Sequence, residues 1–305
     1  ADAPGEARAL LIKARLALEV GDLEIAAAAL DGLEAAEDPF IRRRAMALLA
    51  ALDLVEGRTQ TPWIERALSI SPHFGELFET LAHFHIIRYQ YFDAVAALRR
   101  AVGVQPDRWT AHATLGINLL RIDEFEEARK HLELAHDGDP YNAQVVNSLR
   151  LLDSIADDFD LRRSPGLLLR IHEDETEALA PYVEALVEEA MTTFEERYAY
   201  RPETKVVLEI YPTHADFAVR TSGLPGIGIL GAAFGDVVVM DGPSARTIED
   251  GFDWSSALWH ELAHVVTLGA TENRVARWFS EGVSVFEEWP VSYTHLRAHE
   301  TPLHL

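Results

Sequence analysis

Two consecutive segments of the chain repeat each other at an interval of 34 residues. Setting FGELFETLAHFHIIRYQYFDAVAALRRAVGVQP over RWTAHATLGINLLRIDEFEEARKHLELAHDGDP places Leu81 against Leu115 and Ala94 against Ala128. Leu98 then meets Leu132, Ala101 meets Ala135 and Pro106 meets Pro140. One period earlier lie Ala67 and Pro72, in TPWIERALSISP, and ARALLIKARLALEVGDLEIAAAALDGLEAAEDP reads as a fourth, degenerate copy. A period of this size forces a stack, because one short unit cannot bury its apolar face without a neighbour.

The spacing and the Leu-Ala-Leu-Ala-Pro positions resemble tetratricopeptide repeats over roughly residues 7–155, most clearly in the two aligned copies. The resemblance implies two antiparallel helices per unit. A small residue such as Ala94 or Ala128 lets their backbones approach, and the large apolar positions fill the shared core. Pro106 and Pro140 end the second helix, because proline donates no backbone bond to continue it. YNAQVVNSLRLLDSIADDF follows as a capping helix, so residues 1–160 are expected to form an α-solenoid. Its concave face would suit a protein or peptide partner.

From about Leu161 the pattern changes. GLLLRIHED and KVVLEIYP read as strands by their apolar and β-branched content. ALAPYVEALVEEAMTTFEERYAY has helical spacing, and THADFAVRTSG reads as a short helix with Thr213 at its N-cap and Gly223 near its end. ILGAAFGDVVVMDGPS reads as two strands broken near Gly235. The helices DWSSALWHELAHVVTLGA and RVARWFSEGVSVFEEW come last. Strands followed by helices indicate an α+β unit, expected over 161–290.

Composition excludes some partners. With 27 basic and 50 acidic residues the net charge is −23, which disfavours nucleic acid and anionic membrane surfaces. No apolar stretch approaches the roughly 20 residues of a membrane-spanning helix. The chain has no cysteine, so disulfides, thiolate metal sites and cysteine nucleophiles are all ruled out. VSYTHLRAHET, residues 291–301, resembles codon by codon the translation of a transposase sequencing adapter. Residues 291–305 are therefore expected to be a non-native tail on a chain truncated near Pro290. Tyr293, His295, His299 and His304 fall in that tail and are set aside as site residues.

The chemistry concentrates in WHELAHVVTLGATENRVARWFSEG. His260 and His264 stand four apart on an apolar helix, so both rings share a face and can hold one cation. Glu261 follows the first histidine, beside such a cation rather than on it, where it can take a proton from water. HELAH together with WFSEGVSVFEE resembles the gluzincin metallopeptidases, in which HExxH is completed by a glutamate on the next helix. The resemblance implies a zincin-like, peptidase MA-like domain holding one Zn2+ per chain, with Glu281 as the third ligand. Glu261 would be the general base, and Glu288 the carboxylate that orients a ligand histidine. Sixteen residues separate His264 from Glu281, a short connection that favours a compact domain. The metzincin pattern fails, since it needs glycine and histidine where Thr267 and Ala270 stand.

Glu287 is expected to face solvent. Gly231, Ala232, Ala233 and Phe234 would form an edge strand along which an extended peptide substrate pairs. His83, His85, His112, His131 and His136 belong to the repeats, and His172 and His214 have no partner at ligand spacing. A transition-state Tyr or His is expected beyond the glutamate helix. The whole reads as a bacterial-type repeat protein joined to a zinc metallopeptidase domain. The alternative is a non-catalytic repeat scaffold with a structural or vestigial zinc site.

Overall fold

The computed structural model of the chain describes residues 4–58, 60–226, 228–246 and 253–299, with residues 289–299 described by their backbone alone. It shows a mostly helical N-terminal region followed by a small mixed sheet of five strands. Two compact units result, one of residues 1–118 with 137–139 and the other of 119–136 with 140–305.

The helical region runs α1 (Pro4–Val20), α2 (Leu23–Leu30), α3 (Pro39–Val55), α4 (Trp63–Ile70), α5 (Glu76–Ile87), α6 (Tyr91–Val104), α7 (Trp109–Arg121), α8 (Phe125–Gly138) and α9 (Ala143–Asp158). The 34-residue period is visible in the backbone itself. Tyr89 and Asp123, one period apart, both take positive φ (59° and 64°) in the turns after α5 and α7. The bonds Gln90 N–H to His85 O (2.9 Å) and Glu124 N–H to Leu119 O (3.0 Å) close those turns in the same way. Helices α4, α6 and α8 each stop two residues before Pro72, Pro106 and Pro140. Ala67, Ala94, Ala128, Leu98 and Leu132 have no exposed surface, as close helix approach requires. These repeats are compatible with a tetratricopeptide-repeat protein. Among the described residues no helix is long and apolar enough to cross a membrane.

The second unit carries β1 (Phe159–Ser164), β2 (Leu167–His172), α10 (Glu173–Tyr198), β3 (Val206–Tyr211), α11 (His214–Ser222), β4 (Gly231–Phe234), β5 (Val237–Asp241), α12 (Trp254–Ala270) and α13 (Arg277–His299). Strand order is β1-β2-β3-β5-β4. β2, β3 and β5 run parallel, and β1 and β4 close the two edges antiparallel. β3 is buried at every position, the mark of a parallel strand covered on both faces. One face of the sheet presents Leu167, Leu169, Ile171, Leu208, Ile210, Val238 and Met240 to a core completed by α10 and α12.

The other face is charged. Arg170 and Glu209 sit side by side in the β2–β3 register, and Arg170 Nη1 donates to Glu209 Oε1 at 2.8 Å. Arg220 of α11 grips the same carboxylate with two bonds of 2.7 and 3.0 Å, and Tyr211 adds a third donor at 2.7 Å. Arg220 Nη2 also donates to Leu120 O at 2.7 Å, and Arg170 Nη2 reaches Asp123 Oδ1 at 3.0 Å. Gln144 and Asn147 of α9 donate to Ser222 O (2.8 Å) and Gly223 O (3.2 Å). These bonds gather the α7–α8 turn and α9 into the unit that holds the sheet. The boundary between units therefore falls earlier than the change of sequence pattern near residue 160, and β1 straddles that change.

Candidate metal centre

α12 is packed almost all round, the condition of a central helix rather than a surface one. Leu258, Leu262 and Val266 recur at i, i+4 and i+8 with at most 1% exposure. Burial of each contributes about 1.5–3 kcal/mol. Asp253 starts the helix by accepting from the backbone N–H of Ser255 (3.0 Å) and Ser256 (3.3 Å). Burial works against the charge on Asp253, but those bonds and the two serine hydroxyls hold its carboxyl below the usual range. The half-buried face of α12 carries His260 and His264, whose ring centroids lie 4.9 Å apart.

α13 returns along this face after a turn in which Glu272 and Asn273 take positive φ. Glu281 Oε2 lies 3.6 Å from His260 Nε2 and 3.4 Å from His264 Nε2. One donor atom from each of the three side chains falls within 4.8 Å of the other two, and among the described residues no other such group of His, Asp or Glu forms. Four-coordinate zinc, with bonds of about 2.0–2.2 Å, needs ligand atoms roughly 3.3–3.6 Å apart. Two imidazole nitrogens and a carboxylate oxygen at these separations fit that ion. The rear nitrogens are engaged elsewhere: His260 Nδ1 lies 3.2 Å from Glu288 Oε2 and His264 Nδ1 lies 2.8 Å from Ser280 Oγ. Both rings thus turn Nε2 toward Glu281, with outer partners of the kind that orient metal-ligating histidines.

Glu261 sits beside this trio, 8% exposed. Its carboxyl is pushed up to about 8, first by burial and then by the charges of Glu281 and Glu288. It packs directly under the edge strand. A Cβ at Gly231 would come within 2.6 Å of Glu261 Cγ and 2.8 Å of Oε1, so any side chain there would displace the Glu261 carboxyl. His264 is pushed down to about 4, chiefly by burial and then by His260, which leaves its ring neutral. Burial opposes the charge of Glu281, yet His264 and Arg277 hold its carboxyl below the usual range.

The fold therefore brings His260, Glu261, His264, Glu281, Glu288 and Gly231 to one place. β4 continues through Ala232, Ala233 and Phe234 as the outermost strand of the sheet. Ala233 packs toward the apolar core and Phe234 is buried under Arg121, whose guanidinium lies 5.2 Å from the ring. The side chains of Tyr293, His295, His299 and His304 lie outside the described residues.

One expectation is corrected. Glu287 does not face solvent: it is 1% exposed and accepts from Arg197 and Tyr198 at the C-terminal end of α10. Ser280 and Thr267, which lie behind His264, were not picked out from sequence. Small hydroxyl residues carry no spacing signal, and only the position of Ser280 just before Glu281 could have pointed to it. His214 also has a partner: its Nδ1 is 2.9 Å from Oδ2 of the buried Asp241, on the charged face of the sheet.

No family model matches the chain. It is 26% identical over 192 residues to a protein of Oryza sativa subsp. japonica described as Protein SGT1 homolog, an alignment covering 54% of this chain and 50% of that protein. The chain spans about half the length of the curated relative it matches.

Proposed function

We propose that the chain is a zinc-dependent metallopeptidase of gluzincin type, with a zincin-like α+β domain preceded by an α-solenoid of tetratricopeptide repeats that binds a protein partner or substrate. One observation carries the reading. His260 Nε2, His264 Nε2 and Glu281 Oε2 converge with Glu261 at their side, and the Glu261 carboxyl occupies space that the edge strand leaves open at Gly231. Zinc bound there supplies a Lewis acid that polarises water and a scissile carbonyl, and its charge favours the ionised form of Glu261. Glu261 takes the proton of the attacking water and returns it to the departing amine nitrogen. Gly231–Phe234, the outermost strand of the sheet, pairs along its outer side with an extended peptide, laying the scissile bond across the histidine face. Glu288 and Ser280 keep the two rings turned so that Nε2 faces Glu281.

Zinc analysis of the folded chain, beside three variants, tests the reading. About one zinc per chain is expected, weakened in His264→Ala and Glu281→Ala. Glu261→Gln should keep the metal and lose peptide hydrolysis. A folded chain that takes up no zinc overturns the proposal. Unchanged function in Glu261→Gln would instead support a repeat scaffold with a structural metal.

A further inference from the structure

We infer that Ser280 and Thr267 form a one-way hydroxyl relay that holds the His264 ring in a single tautomer, with the proton on Nδ1 and the lone pair on Nε2. The relay itself follows from hydrogen-bond geometry; its consequence for metal binding rests on the function proposed above. Three contacts define it. His264 Nδ1 lies 2.8 Å from Ser280 Oγ, Ser280 Oγ lies 3.1 Å from Thr267 Oγ1, and Thr267 Oγ1 lies 2.9 Å from Ala263 O and 3.3 Å from His264 O. Ser280 and Thr267 are 3% and 8% exposed, so water is a poor substitute partner for either.

The direction follows from counting protons. A hydroxyl has one proton to give and two lone pairs to receive with. Both oxygens beyond Thr267 are backbone carbonyls, which only accept, so the Thr267 proton goes to them. Thr267 must then receive from Ser280, and the Ser280 proton is committed. Ser280 can only accept from His264, so Nδ1 carries the hydrogen, and the relay holds it there against the Glu281 carboxylate 3.4 Å from Nε2.

A neutral hydroxyl acceptor orients the His264 ring without adding charge, whereas the partner behind His260 is the carboxylate of Glu288. The relay has a second effect. It starts and ends on α12 but passes through Ser280, the residue before Glu281. The bond that sets the His264 tautomer therefore also sets the first turn of α13 against α12, and with it the reach of Glu281. Ser280 and Thr267 are positioning residues on this reading.

Ring 15N NMR of the chelator-treated chain near neutral pH tests the tautomer without any metal. The chain has 13 histidines, so the His264 signals are identified by their loss in His264→Gln. The wild type should show a protonated Nδ1 and an unprotonated Nε2. Ser280→Ala should turn this into a mixture, Ser280→Thr should restore it, and the isosteric Thr267→Val should relax it in part. Zinc affinity by chelator competition should fall about 10–100-fold in Ser280→Ala and return in Ser280→Thr. A wild-type ring protonated on Nε2, or an unchanged tautomer in a Ser280→Ala chain with wild-type circular dichroism, overturns the relay. A wild type with the stated tautomer that binds no zinc upholds the relay and overturns the metal reading instead.

Discussion

Glu209→Gln isolates what the buried ion cluster contributes, because it removes one charge and keeps the shape. Glu209 and Arg220 have fully buried side chains, and the carboxylate receives from Arg220, Arg170 and Tyr211 at 2.7–3.0 Å. Amide nitrogen in place of one oxygen would face a guanidinium, leaving Arg220 charged and short of partners. Among the described residues its Nη1 has no hydrogen-bond partner, and its Nη2 also donates to Leu120 O. Breaking a buried pair from one side costs about 3–5 kcal/mol. The unit concerned has 18 residues from 119–136 and 166 from 140–305, 184 in all. At that size each kcal/mol moves Tm by about 2–4 °C, so a fall of roughly 6–20 °C is expected.

The pH dependence has a definite sign. Burial raises the Glu209 carboxyl, but Arg220 and Arg170 outweigh it and hold the group below its ordinary value. A carboxylate depressed on folding contributes fully above its unfolded pKa, about 4.3, and loses that contribution as pH falls through the folded value. The gap between wild type and Glu209→Gln should therefore be full at neutral pH and close in acid. Hydrogen exchange of the β3 amides, read beside thermal melts, follows this locally. Adding Arg220→Met should recover part of the loss, since the orphaned charge is then gone while Arg170 keeps Asp123. A Glu209→Gln loss under about 1 kcal/mol, or a gap that stays constant into acid, would refute the argument.

Gly231→Ala should displace the Glu261 carboxyl, because the new methyl would stand 2.6–2.9 Å from its Cγ, Oε1 and Cδ. Peptide hydrolysis should fall by about 10-fold to 100-fold while zinc content stays at the wild-type value; equal turnover would remove the edge strand from the site. Asp253→Ala should cost about 1 kcal/mol by uncapping α12. The Asp253 carboxyl is held below its ordinary value, so this loss should be full above pH about 3.9 and shrink below it, as paired melts at neutral and acid pH would show.

Legibility in the sequence followed the kind of signal each element carries. The repeats announce themselves because their core positions recur every 34 residues and a proline closes each unit. α11 was legible at both ends: Thr213 accepts from Asp216 N–H, and Gly223 takes positive φ at the C-cap. β1 was not, because FDLRRS is an exposed edge strand with no apolar alternation to betray it. The ion cluster escaped for a related reason. Arg170, Glu209 and Arg220 look like surface charges in a strand and a helix, and only the parallel β2–β3 register sets the first two side by side. At the candidate metal centre, HELAH and Glu281 carry a spacing, whereas Ser280 has meaning only once α13 is laid on α12.

Glu287 shows what such spacing leaves out. Glu281 and Glu288 lie two turns apart on one line of α13, and both point at the histidines. Glu287 is one residue from Glu288 but about 100° round the helix. There it meets Arg197 and Tyr198 of α10, some 90 residues earlier in the chain. Ser280 lies on nearly the same side of α13 as Glu287, against α12. The helix is thus pinned twice along its buried side, by a hydroxyl in its first turn and by a carboxylate two turns on. A helix held at one point could still roll. Held at both, it presents Glu281 and Glu288 in a single rotational setting, and the distances of 3.4 and 3.6 Å from Glu281 to the two rings follow from that. The candidate ligand triad is visible in the spacing of the motif, but its geometry is set by Ser280 and Glu287, which that spacing does not single out.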